Sequence, residues 1–361
     1  MVLDYIRQRP ISRAEIADAT QLTRASITQI VDELMNDGLV MESACVSGTG
    51  PGRRQRKLML VENALCMAGV NLSHRGYDIG IINLGGKVLW HGCGSVENRN
   101  PEEVMEEVSQ RLKAAIAGLN PVPGRIYGVG VNLPSPLSMA KEMNWEKHRH
   151  PCWHDTCVEE MLREKLGWDV YLGHISTSYA LEELYFGIGY AGVENFMTLH
   201  VDDSVDAGFV LGGELFVSAR GRFPEVGHIS MNRKGEPCSC GGCGCLEKYI
   251  SFPRALQGSS FTSWKQVIDQ MDADPRAKEL FGRVAADLAF EIVNIINVLD
   301  LDKVVLSGEY VYGGDRLAEE VNARMKGCSL RLVSDETVVP GRRDDLARIA
   351  AMPAFHTLFA C

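Results

Sequence analysis

Apolar residues recur at Ile27, Ile30, Val31 and Leu34, the i, i+3, i+4, i+7 spacing of one helix face, with Thr23 ahead of them as a capping residue and Gly38 behind them as a stop. A shorter helix precedes this one. Ser12-Arg-Ala-Glu15 has the spacing of a capping box, Ile16 and Ala17 follow as its first apolar positions, and Gln21-Leu22 supply a turn. Two short helices joined this tightly predict a helix-turn-helix. After Gly38 the period changes to that of strands, at 39–41 and 58–61, separated by Gly48-Thr-Gly50-Pro-Gly52 and the run Arg53-Arg54-Gln-Arg56-Lys57. The module therefore ends in a hairpin with a basic loop, a wing.

From about Cys66 strands alternate with helices. Val70-Asn-Leu72, Ile79–Ile82 and Lys87–Leu89 read as a meander, and Val104, Val108 and Leu112 mark a helix before the buried strand Ile126–Val131. A helix over about 155–166, the strand Val170–Leu172 and a helix over about 176–186 complete a first lobe. A second set follows, with strands Phe196–Leu199, Ala207–Leu211 and Leu215–Val217, a long helix over about 276–299, the strand Val304–Leu306 and a helix over about 315–325. The pattern predicts an α/β protein in three parts: a winged helix-turn-helix over 1–65, a first lobe over 66–187, and a second lobe over 188–361 whose last helix is able to return to the first lobe.

Charge sharpens this division. The chain carries 37 Lys and Arg against 47 Asp and Glu, a net charge of −10, yet residues 1–62 hold eight of each sign. A neutral module with one basic spot thus precedes an acidic body, which fits a local DNA reader and excludes a protein that coats nucleic acid. On the second helix, Arg24, Ser26, Thr28 and Gln29 occupy the polar face near the N-terminus, where side chains enter a major groove. Arg53, Arg54 and Arg56 in the wing suit phosphates or a narrow minor groove. The competing reading is a small protein-binding winged helix with a solvated basic loop. The first residues lack the apolar stretch of a signal peptide and no run approaches a membrane span, so a cytoplasmic location is expected.

Eleven cysteines in a reducing compartment do not suggest disulfides, and four of them bunch as Cys238-Ser-Cys240-Gly-Gly-Cys243-Gly-Cys245, ten residues after His228. One imidazole with several thiolates is the ligand set of a closed tetrahedral zinc site, which leaves no open position for a catalytic water. The metal is therefore expected to be structural. A second cluster, His148-Arg-His150-Pro-Cys152-Trp153-His154-Asp-Thr-Cys157, is dense enough in imidazole and thiol to hold a transition metal, although a polar, ligand-facing or solvated loop is the preferred reading.

A capped helix-turn-helix with a basic wing, followed by a two-lobed body containing Glu225-Val-Gly-His228 and Cys238-Ser-Cys240-Gly-Gly-Cys-Gly-Cys245-Leu-Glu247, resembles the repressor branch of the ROK family of repressors and sugar kinases. The resemblance covers almost the whole chain. It implies an actin-like, sugar-kinase-type fold, sugar binding between the lobes, and dimers or tetramers. It also implies that His228, Cys238, Cys240 and Cys245 hold Zn2+, with Cys243 at a variable position, and that Glu225, His228 and Glu247 contact the effector, with His174 as a further candidate.

Departures from the kinases of that family concern phosphoryl transfer. Where they carry D-x-G-G-T, this chain has Asn71-Leu-Ser-His-Arg75; where they carry the loop G-T-G-x-G-x-G, it has Asp202-Asp-Ser-Val-Asp206-Ala-Gly208. Carboxylates at a phosphate site repel it. Their N-D-A-N-A-A-A-L-x-E helix, whose Asp is the base, corresponds to His174-Ile175-Ser-Thr-Ser-Tyr-Ala-Leu181-Glu-Glu183, and Ile175 accepts no proton. No catalytic residue is expected. The resemblance thus implies a homodimeric regulator reading a pseudo-palindromic DNA operator, recognition helices ~34 Å apart, and answering to a sugar or sugar derivative. One alternative is a sugar kinase with a displaced base, which a coupled ATP assay would reveal. Another is a regulator controlled by a transporter or phosphotransfer protein, whose capture would ignore free sugars.

Overall fold

The computed structural model describes residues 1–43, 56–73, 76–97, 99–119, 125–133, 157–218, 223–328, 333–342 and 345–360. The chain opens with α1 (Val2–Gln8), which the apolar pattern does not announce, followed by α2 (Arg13–Thr20) and α3 (Arg24–Asn36). The predicted caps form. Ser12 accepts from the Glu15 amide while Glu15 returns a bond to the Ser12 amide, and Thr23 accepts from Ser26 at the start of α3. Ile27 and Val31 are buried, which fixes the rotation of α3 and turns Arg24, Thr28 and Gln29 outward. β1 (Val40–Glu42) pairs antiparallel with β2 (Leu58–Leu60) at the base of the wing. Glu42 ties that base down, accepting from Arg13 of α2 and, at 2.7 Å, from Arg56.

Two five-stranded sheets follow, and each has the same plan. In the first, β5 (Val88–Ser95), β4 (Gly76–Asn83) and β3 (Leu65–Leu72) form an antiparallel meander, and β6 (Arg125–Leu133) lies parallel to β3 with β7 (Val170–His174) beyond it. In the second, β10 (Glu214–Leu215), β9 (Val205–Leu211) and β8 (Phe196–Val201) form the meander, and β11 (Lys303–Gly308) and β12 (Val338–Pro340) run parallel to β8. The expected strand Leu215–Val217 is shorter and shifted. Phe216 closes the hairpin by donating to the Phe209 carbonyl, after which Phe216 and Val217 are 42% and 41% exposed.

The contacts divide the chain into two compact units. One gathers the described residues of 1–138, 150–173 and 346–361. Its sheet buries one face under α4 (Pro101–Gly118) and α5 (Val158–Leu166), through Val104, Val108, Leu112 and Leu162. The other face carries α12 (Leu346–Phe359), seated so closely that a Cβ on Gly69 would lie 2.2 Å from the Ala350 carbonyl carbon and one on Gly80 2.5 Å from the Ala347 Cα. Glycine on β3 and β4 is what admits the helix. Asn71 donates to the Leu346 carbonyl, and Asn132 donates to the Ile349 carbonyl and to the Asn71 side chain, so the polar groups under α12 are paired.

The second unit holds the described residues of 174–345. Its core lies between one face of the sheet (Leu199, Val201, Val205, Phe209, Val304, Leu306) and α10 (Pro275–Leu299) with α11 (Gly314–Met325), closed by Trp264 of α9 (Trp264–Gln270). On the opposite face lies α6 (Ile175–Phe186), whose Ala180 packs against Phe196 of β8 and Val210 of β9. Between β10 and α9 come the cysteine-bearing loop and two short helices, α7 (Glu247–Ile250) and α8 (Phe252–Ala255).

Candidate functional site

Three groups of residues carry chemistry. On the N-terminal module, Arg24, Thr28 and Gln29 are exposed along the first two turns of α3, and Ser26 is half-buried beside its capping partner Thr23. Thr28 returns its hydroxyl to the Arg24 carbonyl at 2.8 Å, and Gln29 donates to Glu33 at 3.1 Å, a contact that leaves the amide at the helix surface. Arg56 sits at the wing base in its ion pair with Glu42. Arg53 and Arg54 lie outside the described residues, as do His148 to His154 of the second cluster; Cys157 is exposed just before α5.

The second group is the cysteine loop. Isolated bridges pair Ser230 with Cys245 and Pro237 with Cys243, and amide bonds from Cys238 to Gly242 and from Met231 to Gly244 fold the segment into a knuckle. Gly244 has φ +61° and its Cβ position lies 2.0 Å from the Asn232 carbonyl oxygen, so a side chain there would open the knuckle. One ligand atom each from His228, Cys238, Cys240 and Cys245 fall within 4.8 Å of one another. Cys238 Sγ is 3.6 Å from His228 Nδ1 and Cys240 Sγ 3.6 Å from Cys245 Sγ. A tetrahedral zinc with Zn–S of ~2.3 Å and Zn–N of ~2.0 Å requires S···S of about 3.8 Å and S···N of about 3.5 Å, so donor set and spacing both fit. Burial raises the Cys238 thiol, but hydrogen bonds from the Cys240 amide and the neighbouring thiols and imidazole outweigh it and bring it down to about 7, toward the thiolate a metal binds. Cys243, exposed, stands outside this set.

The third group surrounds the start of β9. The turn Asp202–Ser204 is exposed, and its Asp202 carbonyl accepts from the Phe252 amide at 2.8 Å, bringing α7 and α8 alongside. Glu247, first residue of α7, accepts from the Val205 amide; burial raises its carboxyl, the nearby His228 opposes this and Asp206 adds to it. The turn containing His228 packs on the Val205 backbone through Gly227. Glu225 precedes that turn, its carbonyl accepting from the His228 amide at 3.1 Å. His174 caps α6. Its Nδ1 accepts from the Ser176 amide at 3.4 Å and lies 2.7 Å from Ser176 Oγ, while Phe223 stacks on its ring. Asp206 lies on the same side of the sheet, with Oδ1 3.9 Å from His174 Nε2.

The structure thus brings His228, Glu247 and His174 together around Asp206. The sequence puts Asp206 with Asp202 and Asp203 in one acidic loop; in the structure Asp202 and Asp203 are exposed, whereas Asp206 is a buried strand residue at 7% exposure. His200, opposite Asp206 in the β8–β9 register, was overlooked as well. A signal existed: with a three-residue turn, strict alternation puts Thr198, His200, Asp206 and Gly208 on one face, a polar patch on two otherwise apolar strands.

Residues 69–345 match the model of the ROK family. The xylose repressor of Caldicellulosiruptor bescii is 24% identical over 346 residues, covering 87% of this chain and 84% of the relative. The DNA-binding transcriptional dual regulator NagC of Escherichia coli K12 is 25% identical over 363 residues, covering 96% and 88%. Among solved structures, a ROK family transcriptional regulator described as a homologue of the E. coli MLC protein superposes with a TM-score of 0.80 at 21% identity, covering 99% of this chain and 95% of that one.

Proposed function

Because the chain belongs to the ROK family, we propose that it is a DNA-binding transcriptional regulator, a repressor of carbohydrate genes, whose body senses a sugar or sugar derivative. The observation that carries this reading is the presence, in one chain, of a capped helix-turn-helix with its polar face exposed and a ROK body, in an arrangement shared with a regulator over almost its full length. Relatives named for xylose repression and for transcriptional regulation support the same class. In this reading Arg24, Ser26, Thr28 and Gln29 read base edges, and the wing arginines Arg53, Arg54 and Arg56 bind phosphates. A homodimer, or a tetramer, presents two such helices to a pseudo-palindrome in the cytoplasm.

Zn2+ held by His228, Cys238, Cys240 and Cys245 would stiffen the segment that positions Glu225 and Glu247, which with His228 and His174 face the effector. The body senses and does not phosphorylate: Ile175, at the position of the kinases' base, carries no group that accepts a proton, and Asp202 and Asp203 disfavour nucleotide phosphates. Coupling between effector and operator of roughly 1–3 kcal/mol is sufficient for control.

The test is selection of genomic fragments by the zinc-loaded chain, followed by footprinting. A protected pseudo-palindrome is expected, with Arg24→Ala weakening it by about 1–3 kcal/mol and relaxing sequence preference, whereas Arg53→Ala should reduce the salt slope by about 1. Failure to enrich any duplex would refute the regulator reading.

A further inference from the structure

The face of the second sheet beneath the first turn of α6 carries a line of polar groups that packing alone does not require. Thr198 Oγ1 donates to the Ser176 carbonyl, Ser307 Oγ lies 3.4 Å from His200 Nδ1, and Ser204 Oγ donates to Asp206 Oδ2 at 2.6 Å. The line ends at a gap. His174 is 2% exposed, and because its Nδ1 accepts from the Ser176 amide, the ring N–H is on Nε2. That N–H has no hydrogen-bond partner among the described residues, and the nearest carboxylate oxygen, Asp206 Oδ1, is 3.9 Å away. A buried donor left unpaired is costly. Here it faces a buried acceptor at a separation too long for a direct bond and short enough for one oxygen to serve both.

We infer that Asp206 and His174 form a recognition pair for a hydroxyl group of an unphosphorylated sugar, the sugar oxygen accepting from His174 Nε2–H and donating to Asp206. Position 175 is isoleucine, so the start of α6 offers no carboxylate to a polyol; strand β9 supplies one instead, beside Glu247. The ligand class follows from the groups present. A hydroxyl is both donor and acceptor and satisfies both partners, whereas a phosphate has only acceptors at neutral pH and would meet Asp206 with Asp202 and Asp203 close in sequence. This inference rests on the sugar-sensing reading above and adds its specificity.

The experiment is calorimetric titration of the zinc-loaded full chain and of its Asp206→Asn and His174→Asn variants. The probes are D-xylose, D-glucose and N-acetyl-D-glucosamine, the 6-phosphates of the last two, and the monodeoxy analogues of whichever sugar binds. His174→Asn keeps a side-chain oxygen to cap α6 and removes Nε2–H, and Asp206→Asn preserves shape, so zinc content and melting temperature should hold. The expected result is that an unphosphorylated sugar binds, that each variant weakens it about ten- to hundredfold, and that one deoxy analogue binds the parent weakly and is insensitive to Asp206→Asn. Equal binding by parent and variants, an Asp206→Asn loss identical for every deoxy analogue, or tighter binding of a 6-phosphate would overturn the pair while leaving a carbohydrate sensor. Binding of no probe by the parent chain would overturn the sugar reading and this inference with it.

Discussion

His200 shows how one buried side chain makes the stability of the second unit depend on acid. It stacks on Tyr179 at 4.4 Å, faces Asp206 across the hairpin and has Ser307 beside it. Burial pushes its imidazole down to about 4, Asp206 pulling the other way and His174 adding to the fall. An unfolded histidine titrates near 6.5, so between that value and about 4 the unfolded chain binds a proton that the folded one refuses. The contribution is therefore complete above pH 6.5, is lost progressively as pH falls below that value, amounting to roughly 2 kcal/mol by pH 5, and the loss levels off below the folded value. His356, also lowered by burial, contributes with the same sign. Urea unfolding of the parent and of His200→Gln at pH 8 and pH 5 isolates the residue: the variant should lose about 2 kcal/mol less on acidification, and parallel losses would show that His200 titrates normally in the fold.

At the scale of elements, how legible each was depends on contrast. α3 and α4 have one buried and one wet face, so their period stands out in the sequence. α12 has no such contrast. Its run Leu-Ala-Arg-Ile-Ala-Ala-Met-Pro-Ala-Phe-His-Thr-Leu-Phe is apolar nearly all round, contains Pro353 and is buried from Ala347 to Phe355 with little interruption. α7 and α8 are four residues each and β12 three, too short for any period to register. The cysteine loop was legible for another reason: ligand chemistry fixes residue types and spacing without periodicity. By contrast, Asp206 and His174 are 32 residues apart in number and meet only through the tertiary fold, so their pairing left no local mark.

The cysteine loop also has an energetic signature as an element. Among its residues Cys238, Cys245 and Leu246 are buried, while Cys240, Gly241, Gly242 and Cys243 are exposed, so apolar burial alone holds it weakly. Metal coordination supplies the rest in the proposed reading, and removing it should be felt as folding free energy. Cys240→Ser is expected to lose close to one equivalent of zinc by elemental analysis and several kcal/mol of stability in the second unit, with fast amide exchange confined at first to 229–246. A variant that retains full stability, or a parent chain that purifies without metal and is no less stable, would exclude the ligand set.

At the scale of the molecule, the first unit is assembled from both ends of the chain, and this determines how it can fold. Its sheet needs α12, which arrives only after the entire second unit has been made. Glycines 69, 80 and 130 leave a shallow face that only a helix backbone fills, and Asn71 and Asn132 lose their carbonyl partners if residues 346–349 are absent. The same helix meets the N-terminal module: Arg7 of α1 lies over the rings of Phe355 and Phe359, and the terminal amine donates to the Phe359 carbonyl. The N-terminal module is therefore packed against the last helix of the chain, inside one compact unit. A fragment of residues 1–173 should consequently remain largely unfolded or aggregate, whereas adding a synthetic 346–361 peptide should restore circular dichroism and protease resistance, and a scrambled peptide should not. Each buried methylene of that peptide is worth about 0.8 kcal/mol, so the rescue should weaken steeply when Phe355→Ala is made in the peptide alone. Cooperative folding of 1–173 without any peptide would mean that the glycine-lined face is stable uncovered, and the dependence of the first unit on the chain's last helix would have to be abandoned.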